Sequence, residues 1–173
     1  MITDLVQIKM LGEKKRDENL RFRRSMKSRD HSDRILRRIA EGIQEQIDCT
    51  QCANCCKTST VHVSERDIER LARHLRIAPR EFVAEYTQPD PDPEEDEGGV
   101  NLKFTAEAGC VFLDGKVCTV YEARPEICQR YPHLVRGNGS IVSRMWSFVD
   151  RASVCPIVYN SLEAFKGELR FRR

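Results

Sequence analysis

The sequence predicts a small single domain of the α+β class, organised around a cysteine-rich metal centre. Three observations lead to this prediction: short segments with helical spacing of apolar residues, a β-hairpin signal between residues 110 and 121, and eight cysteines, four of them within eight residues. At 173 residues, with 40% hydrophobic and 32% charged residues, the chain suits one domain with a modest core. A bound metal would supply part of its folding free energy.

Residues 1–32 are rich in charge and lack a sustained apolar period. Basic and acidic side chains are interleaved there, which is typical of a solvated helix or a mobile arm. We therefore expect a charged N-terminal arm over 1–32, flexible or loosely docked, with a partner- or nucleic-acid-binding arm as the alternative. The folded domain is expected over 33–169, with its core at 49–155.

Helices are predicted where apolar residues recur at spacings of three and four. The first is defined by Ile35, Ile39 and Ile43 and has a candidate N-cap at Ser32 or Asp33. Later helices begin after a serine N-cap or at a proline, both of which suit a helix start. The predicted helices are 33–47, one that begins after Ser64, 79–86, 125–131 and 156–168.

Extended segments are predicted over 58–63, 100–105 and 141–149, and the last of these carries Trp146 and Phe148. Residues 88–99 alternate proline with acidic side chains, which predicts an irregular acidic loop because proline removes backbone donors and the charges repel. The spacing of its carboxylates matches no EF-hand calcium loop.

A β-hairpin is predicted from Cys110 to Tyr121, with its turn at Asp114-Gly115. A two-residue turn would place Cys110 and Cys118 on opposite faces of the ribbon. A three-residue turn through Lys116 would place both cysteines on one face. The sequence leaves both registers open, and the choice decides whether these two thiols share a metal.

The cysteines are the candidate metal ligands. Soft thiolates favour zinc, copper(I) and iron–sulfur centres, and Cys-x2-Cys spacing lets one turn of backbone place two sulfur atoms on one ion. Structural disulfides are not expected, because the N-terminus is no secretory signal and the default compartment is the reducing cytoplasm. The candidate ligands are Cys49, Cys52, Cys55, Cys56, Cys110, Cys118, Cys128 and Cys155.

The division of eight thiolates among metal ions stays open at this point. They suit two four-sulfur sites, one cluster with spare ligands, or one polynuclear centre with bridging sulfur. We expect the adjacent Cys55 and Cys56 not to point easily at the same metal, which favours two ions or a shared cluster.

A thiolate centre carries net negative charge and needs cations or N–H donors nearby. Arg124 and Lys57 are the candidate cofactor-binding side chains by their closeness in sequence to cysteines. For Arg124 the alternative is that it pairs with a neighbouring glutamate or a backbone carbonyl and only braces its turn. No catalytic set of Ser/His/Asp or Cys/His type is visible, so catalytic residues and an enzyme activity stay undefined.

The formal net charge of +2 is a weak argument for nucleic-acid binding, because bound thiolates would offset it. Nucleic acid is therefore not expected as a partner, while a protein partner stays open. No segment reaches the roughly 20 apolar residues that span a bilayer, so no membrane association is expected.

The cysteine pattern resembles the CxxCxxCC family of zinc- or iron-chelating domains, whose members are often named YkgJ-like or Fe–S-cluster-containing proteins. The resemblance rests on Cys49-x2-Cys52-x2-Cys55-Cys56, Cys110-x7-Cys118 and the segment from Tyr121 to Cys128. It implies a metal-chelating domain with eight cysteines. An iron–sulfur cluster or iron is our first choice, with a redox or uncharacterised enzymatic role. Zinc in a structural or interaction module is the alternative, and a distant relation to flagellin lysine methylases suggests an auxiliary domain for protein lysine methylation.

Overall fold

A computed structural model describes residues 1–26, 32–90, 99–135 and 141–171. Its helices are α1 Leu5–Lys14, α2 Arg16–Ser25, α3 Ser32–Gln44, α4 Cys49–Cys52, α5 Asn54–Thr58, α6 Glu65–Leu75, α7 Pro79–Tyr86, α8 Glu126–Arg130, α9 Ile141–Arg151 and α10 Pro156–Glu168. Its strands are β1 His62–Val63, β2 Thr87–Pro89, β3 Val100–Leu102, β4 Phe104–Thr105, β5 Gly109–Cys110, β6 Leu113–Asp114 and β7 Val117–Cys118. Short helices with small antiparallel sheets confirm the predicted α+β class.

The chain divides into two compact units. Unit 1 contains residues 1–48 and 130–173, and unit 2 contains residues 49–129. Unit 1 is helical, whereas unit 2 contains all of the described strands. The predicted boundary at residue 32 stays a prediction.

Unit 1 packs α1, α2, α3, α9 and α10 around one core. Phe22 of α2 lies edge-to-face against Phe165 of α10, with ring centres 5.4 Å apart. Buried Lys166 donates to Glu18 at 2.5 Å and to Asn19 at 3.0 Å, so a polar network also joins α10 to α2. The first 26 residues are thus docked into unit 1 instead of forming a loose extension, because Ile8, Phe22 and Met26 are buried.

The segment over residues 141–151 corrects the sequence-based prediction of a strand. It forms helix α9, and Met145, Phe148, Val149 and Ala152 are buried. Their spacing of three and four residues is the helical one, and it outweighs the aromatic and β-branched content that suggested a strand.

Unit 2 has an antiparallel sheet in the order β1-β3-β2, with His62 opposite Asn101 and Thr87 opposite Leu102. Helices α6 and α7 pack beside it. Helix α6 begins after Ser64 and α7 begins at Pro79, as the sequence predicted, and the structure adds a capping box between Ser64 and Asp67. In the predicted acidic loop over 88–99, residues 88 and 89 belong to β2, and residues 91–98 lie outside the described part of the chain.

The predicted hairpin is present, but its register is neither of the two considered. Strand β6 pairs with β7 so that Leu113 lies opposite Cys118 and Asp114 opposite Val117, which leaves Gly115-Lys116 as the two-residue loop. Gly115 has φ +59°, a conformation that favours glycine. Cys110 belongs to a different ribbon, in which β5 pairs with β4. The face-alternation argument for Cys110 and Cys118 therefore does not apply.

Candidate metal centre

Seven of the eight cysteines lie in unit 2, and Cys155 lies in unit 1. All eight are in the described part of the chain, and none of them forms a disulfide. Cys155 is buried in the core of unit 1 at the start of α10, with Pro156 as the first helical residue.

Two short helices present the first four cysteines. Helix α4 begins at Cys49 and ends at Cys52, and α5 carries Cys55 and Cys56. Between the helices Ala53 has φ +50° and is buried, so a single left-handed residue separates α4 from α5. Helix α4 packs against β7, which ends at Cys118, and α5 packs against β5, which ends at Cys110.

The sulfur atoms of Cys55 and Cys56 lie 4.0 Å apart. Two thiolates bound at 2.3 Å to one tetrahedral ion lie about 3.8 Å apart, so this separation suits a pair of ligands on a single metal. The expectation that adjacent cysteines avoid a common metal is thus not supported by their geometry. Rotation about the side-chain bonds offsets the roughly 100° between neighbouring residues of a helix.

Gly109 allows strand β5 to pack closely against helix α5. It has φ +78°, and a Cβ atom at this position would lie 2.6 Å from the carbonyl oxygen of Cys56 and 3.0 Å from the Cα of Lys57. Only glycine permits this approach. The close contact places Cys110 beside Cys56.

Cys56, Cys110, Cys118 and Cys128, which we call the four-thiol group, interact electrostatically in every pairwise combination. Burial raises the pKa of Cys110 and of Cys118, and the neighbouring thiols raise both further. Burial raises the pKa of Cys128 to about 12, again with a contribution from the other three thiols. The hydrogen bond with Cys55 lowers the pKa of Cys56 to about 7. The mutual repulsion of thiolates is what a bound cation would relieve.

Backbone N–H groups already face two of these sulfur atoms. Phe112 donates to Cys110, and Val120 donates to Cys118, each from two residues further along the chain. Each bond lowers the pKa of its thiol, in opposition to burial. Phe112 and Val120 are themselves buried in the core of unit 2, so the donors are held in place.

Arg124 braces its turn, which is the alternative that the sequence analysis gave, and its role in cofactor binding stays a prediction. Its guanidinium lies 3.8 Å from the ring centre of Tyr121 and donates to the Tyr121 carbonyl at 3.2 Å, which braces the turn. Its charge also lowers the pKa of Cys118 and of Cys128. Lys57 is exposed on α5 beside Cys56, and its predicted role in cofactor binding stays a prediction.

Sequence reasoning missed Asp67 and Arg70 of helix α6. Arg70 donates to the carbonyl oxygens of Ala123 and Arg124 at 3.3 and 3.0 Å. Asp67 is buried and accepts the backbone N–H of Glu126, the first residue of α8. Together they fix the segment that leads into Cys128. The serine N-cap predicted at Ser64 gave only the start of helix α6.

A family model described as "CxxCxxCC: Putative zinc- or iron-chelating domain" matches residues 48–156, more than half of the chain. The chain belongs to the CxxCxxCC family. The match confirms the predicted family and supports metal binding, with zinc or iron as the metal. No curated protein and no solved structure matches the chain.

The fit of this CxxCxxCC chain to a metal rests on its donor set. Among the residues that the structure describes, no three Cys, His, Asp or Glu side chains already converge in the geometry of a metal site. The four-thiol group nevertheless offers soft donors. The backbone N–H groups that donate to its sulfur atoms, and the positive charge of Arg124, stabilise thiolates. The residues present therefore fit zinc or iron. Within the described residues no helix is both long and apolar enough to cross a membrane.

Proposed function

We propose that this chain is an iron protein that holds an iron–sulfur cluster, or an iron ion, through cysteine thiolates of unit 2. The observation that carries the proposal is the pairwise interaction of Cys56, Cys110, Cys118 and Cys128. These residues come from four separate elements or turns, and no apolar packing requires four thiols together. A shared cation would account for the proximity of these thiols.

The proposed ligand set has the four-thiol group at its centre and Cys55 next to it, 4.0 Å from Cys56. Cys49 and Cys52 are included because α4 packs against β7, which carries Cys118. Cys155 completes the eight proposed ligands on the basis of the family pattern.

Iron is preferred to zinc because of the number of thiols. A structural zinc ion takes four ligands, and seven cysteines lie in unit 2. A cluster or polynuclear centre uses more of them, and N–H bonds to sulfur are a means by which proteins adjust the potential of iron–sulfur centres. The alternative is a zinc-stapled interaction module, which the tetrahedral spacing of Cys55 and Cys56 would equally suit.

Bound iron or an iron–sulfur cluster would supply one-electron redox chemistry. The chain's own residues prepare for it in three ways. The N–H groups of Phe112 and Val120 stabilise thiolate charge, and Arg124 adds a fixed positive charge. Partial burial of Cys128 reduces its contact with water. We assign Lys57 a further share of the charge compensation.

Metal, acid-labile sulfide and visible absorption of protein purified without oxygen test this proposal. We expect iron, together with sulfide if a cluster is present, and broad visible absorption. Colourless protein with stoichiometric zinc would contradict the iron assignment and support the zinc module. Cys118→Ser and Cys128→Ser should reduce bound metal strongly. Metal content equal to that of the unmodified protein in both variants would contradict the ligand set.

A further inference from the structure

The two units differ strongly in charge. Unit 1 carries 20 Lys and Arg against 12 Asp and Glu, a net charge of +8, and unit 2 carries 9 against 15, a net charge of −6. The total of +2 for the chain conceals this segregation, and thiolates would make unit 2 still more negative. Unit 1 is therefore suited to an anionic partner.

The basic side chains of unit 1 include arginines that have no carboxylate partner among the residues that the structure describes. On α2, Arg21 and Arg24 are exposed, and on α3, Arg34 and Arg37 are exposed. Each pair is spaced by three residues and so lies on one side of its helix. None of the four arginines has a carboxylate partner in the described part of the chain.

An exposed aromatic residue accompanies this charge. Trp146 on α9 is the only tryptophan of the chain, and it is 55% exposed. The guanidinium of Arg23 on α2 lies 4.4 Å from its ring centre. One turn further along α9, Asp150 pairs with Arg16, so the two helices run side by side.

Helices α2, α3 and α9 are neighbours around the core of unit 1. Phe22, Leu36 and Met145, one from each helix, belong to the same buried cluster. Arg144 of α9 also contacts Asp33 of α3 at 3.3 Å. The exposed arginines of α2 therefore lie on a helix beside the one that carries Trp146, and those of α3 lie on a helix joined to it through Asp33 and Arg144.

We propose that the basic surface of unit 1, formed by Trp146, Arg23 and the exposed arginines of α2 and α3, binds single-stranded nucleic acid. Bases stack on Trp146 and Arg23, and the arginines contact phosphates. The exposed indole favours nucleic acid over an acidic protein, because a flat aromatic face and a guanidinium are the elements on which bases stack. Single strands are favoured over duplex, since their bases are accessible to stacking.

Because Trp146 is the only tryptophan, its fluorescence reports directly on this surface. The full chain should be titrated with oligo-dT of about 15 nucleotides, with duplex of equal length and with poly-glutamate. We expect quenching by oligo-dT that weakens steeply with salt. Absence of quenching, or binding of poly-glutamate as tight as that of oligo-dT, would overturn the proposal in favour of an acidic protein partner or none. Tighter binding of the duplex would also overturn it.

Variants separate base stacking from electrostatic attraction to phosphates. The affinity of each variant is measured by the fluorescence anisotropy of labelled oligo-dT. Trp146→Ala should weaken binding about 5- to 150-fold, whereas Trp146→Phe should retain most of it. Arg24→Gln and Arg37→Gln should each reduce the salt dependence. Arg80→Gln removes an exposed charge from α7 of unit 2 and is the matched control, with no change expected. Equal affinity of the Trp146→Ala and unmodified proteins would contradict the stacking role.

Discussion

The carboxylate of Asp67 accepts the backbone N–H of Glu126 at 3.0 Å, although 59 residues separate the two in the sequence. Through this bond helix α6 caps helix α8, whose third residue is Cys128. The same carboxylate also closes the capping box of its own helix with Ser64. One buried side chain thus fixes two helix starts, and one of those helices carries a proposed ligand.

We predict that Asp67→Ala lowers the free energy of unfolding by about 1–3 kcal/mol, because it leaves the N–H groups of Ser64 and Glu126 without their acceptor. Metal content should fall with it, since Cys128 is no longer held in place. Chemical denaturation and metal analysis measure both effects. Glu69→Ala, an exposed change on the same helix, is the control. An Asp67→Ala protein as stable and as rich in metal as the control would contradict the positioning role.

Asp67 also predicts acid sensitivity. Burial opposes ionisation, but hydrogen bonds from Ser64, the Glu126 N–H and Arg70 outweigh it, so the pKa of Asp67 lies below its ordinary value. A lowered carboxylate pKa contributes stability that is present above the unfolded-state value of about 4 and is lost as pH falls through the folded-state value. The stability difference between unmodified protein and Asp67→Asn should therefore shrink from pH 6 to pH 3, as urea unfolding would show. A constant difference would argue against ionised Asp67.

Gly109 and Gly115 form a matched pair for mutation. Both have positive φ, but a Cβ atom on Gly109 would collide with the backbone of Cys56, whereas one on Gly115 would meet nothing within 4 Å. Gly115→Ala should cost only about 1–2 kcal/mol of conformational strain and keep the metal. Gly109→Ala should in addition reduce bound metal severalfold by displacing β5 from α5. Equal metal content in the two variants would show that the close contact of Gly109 with the backbone of Cys56 is unimportant for metal binding.

Cys155→Ala asks whether the eighth cysteine is a ligand. Because Cys155 is only 7% exposed within the core of unit 1, the substitution should lower stability by about 1 kcal/mol in either case. If the proposed set of eight ligands is right, metal per chain should also fall. Unchanged metal stoichiometry would restrict the ligands to unit 2. Cys128→Ser, prepared in parallel, gives the response expected of a central ligand.

Lys166 should be important for the stability of unit 1. It is 5% exposed and donates to Glu18 and Asn19, so Lys166→Ala would leave a largely buried carboxylate without its partner. We expect a loss of about 3 kcal/mol in the free energy of unfolding. Arg38→Ala breaks the exposed pair with Glu168 and should cost less than about 1 kcal/mol. Losses of similar size in the two variants would show that burial of the Lys166 network adds little.

Local signals in the sequence predicted several elements well. Helix α6 begins directly after its N-cap Ser64, α7 begins at Pro79 and α10 begins at Pro156, as these residues predicted. The hairpin around Gly115 was also predicted. Its turn was placed at Asp114-Gly115, whereas the loop is Gly115-Lys116, and the register differs for that reason. These features depend on neighbours along the chain, which a sequence displays directly.

Long-range contacts could not be predicted in the same way. The approach of Gly109 to Cys56 and the bond from Glu126 to Asp67 join distant segments, so the composition of the four-thiol group was not visible in cysteine spacing. The burial of Phe22 likewise depends on α10, and the charged surroundings of Phe22 in the sequence suggested a loose arm. In α9, Met145 and Phe148 are spaced as on one face of a helix, and this spacing is recognisable once both side chains are known to be buried.

The division of the chain also sets an order of events during synthesis. Residues 49–129 form a continuous unit, whereas unit 1 needs both the first 48 residues and the segment after residue 129. Every residue of unit 2 is therefore synthesised before helix α10, which carries much of the core of unit 1. The seven cysteines of unit 2 are thus available to a metal on the nascent chain while unit 1 is still incomplete.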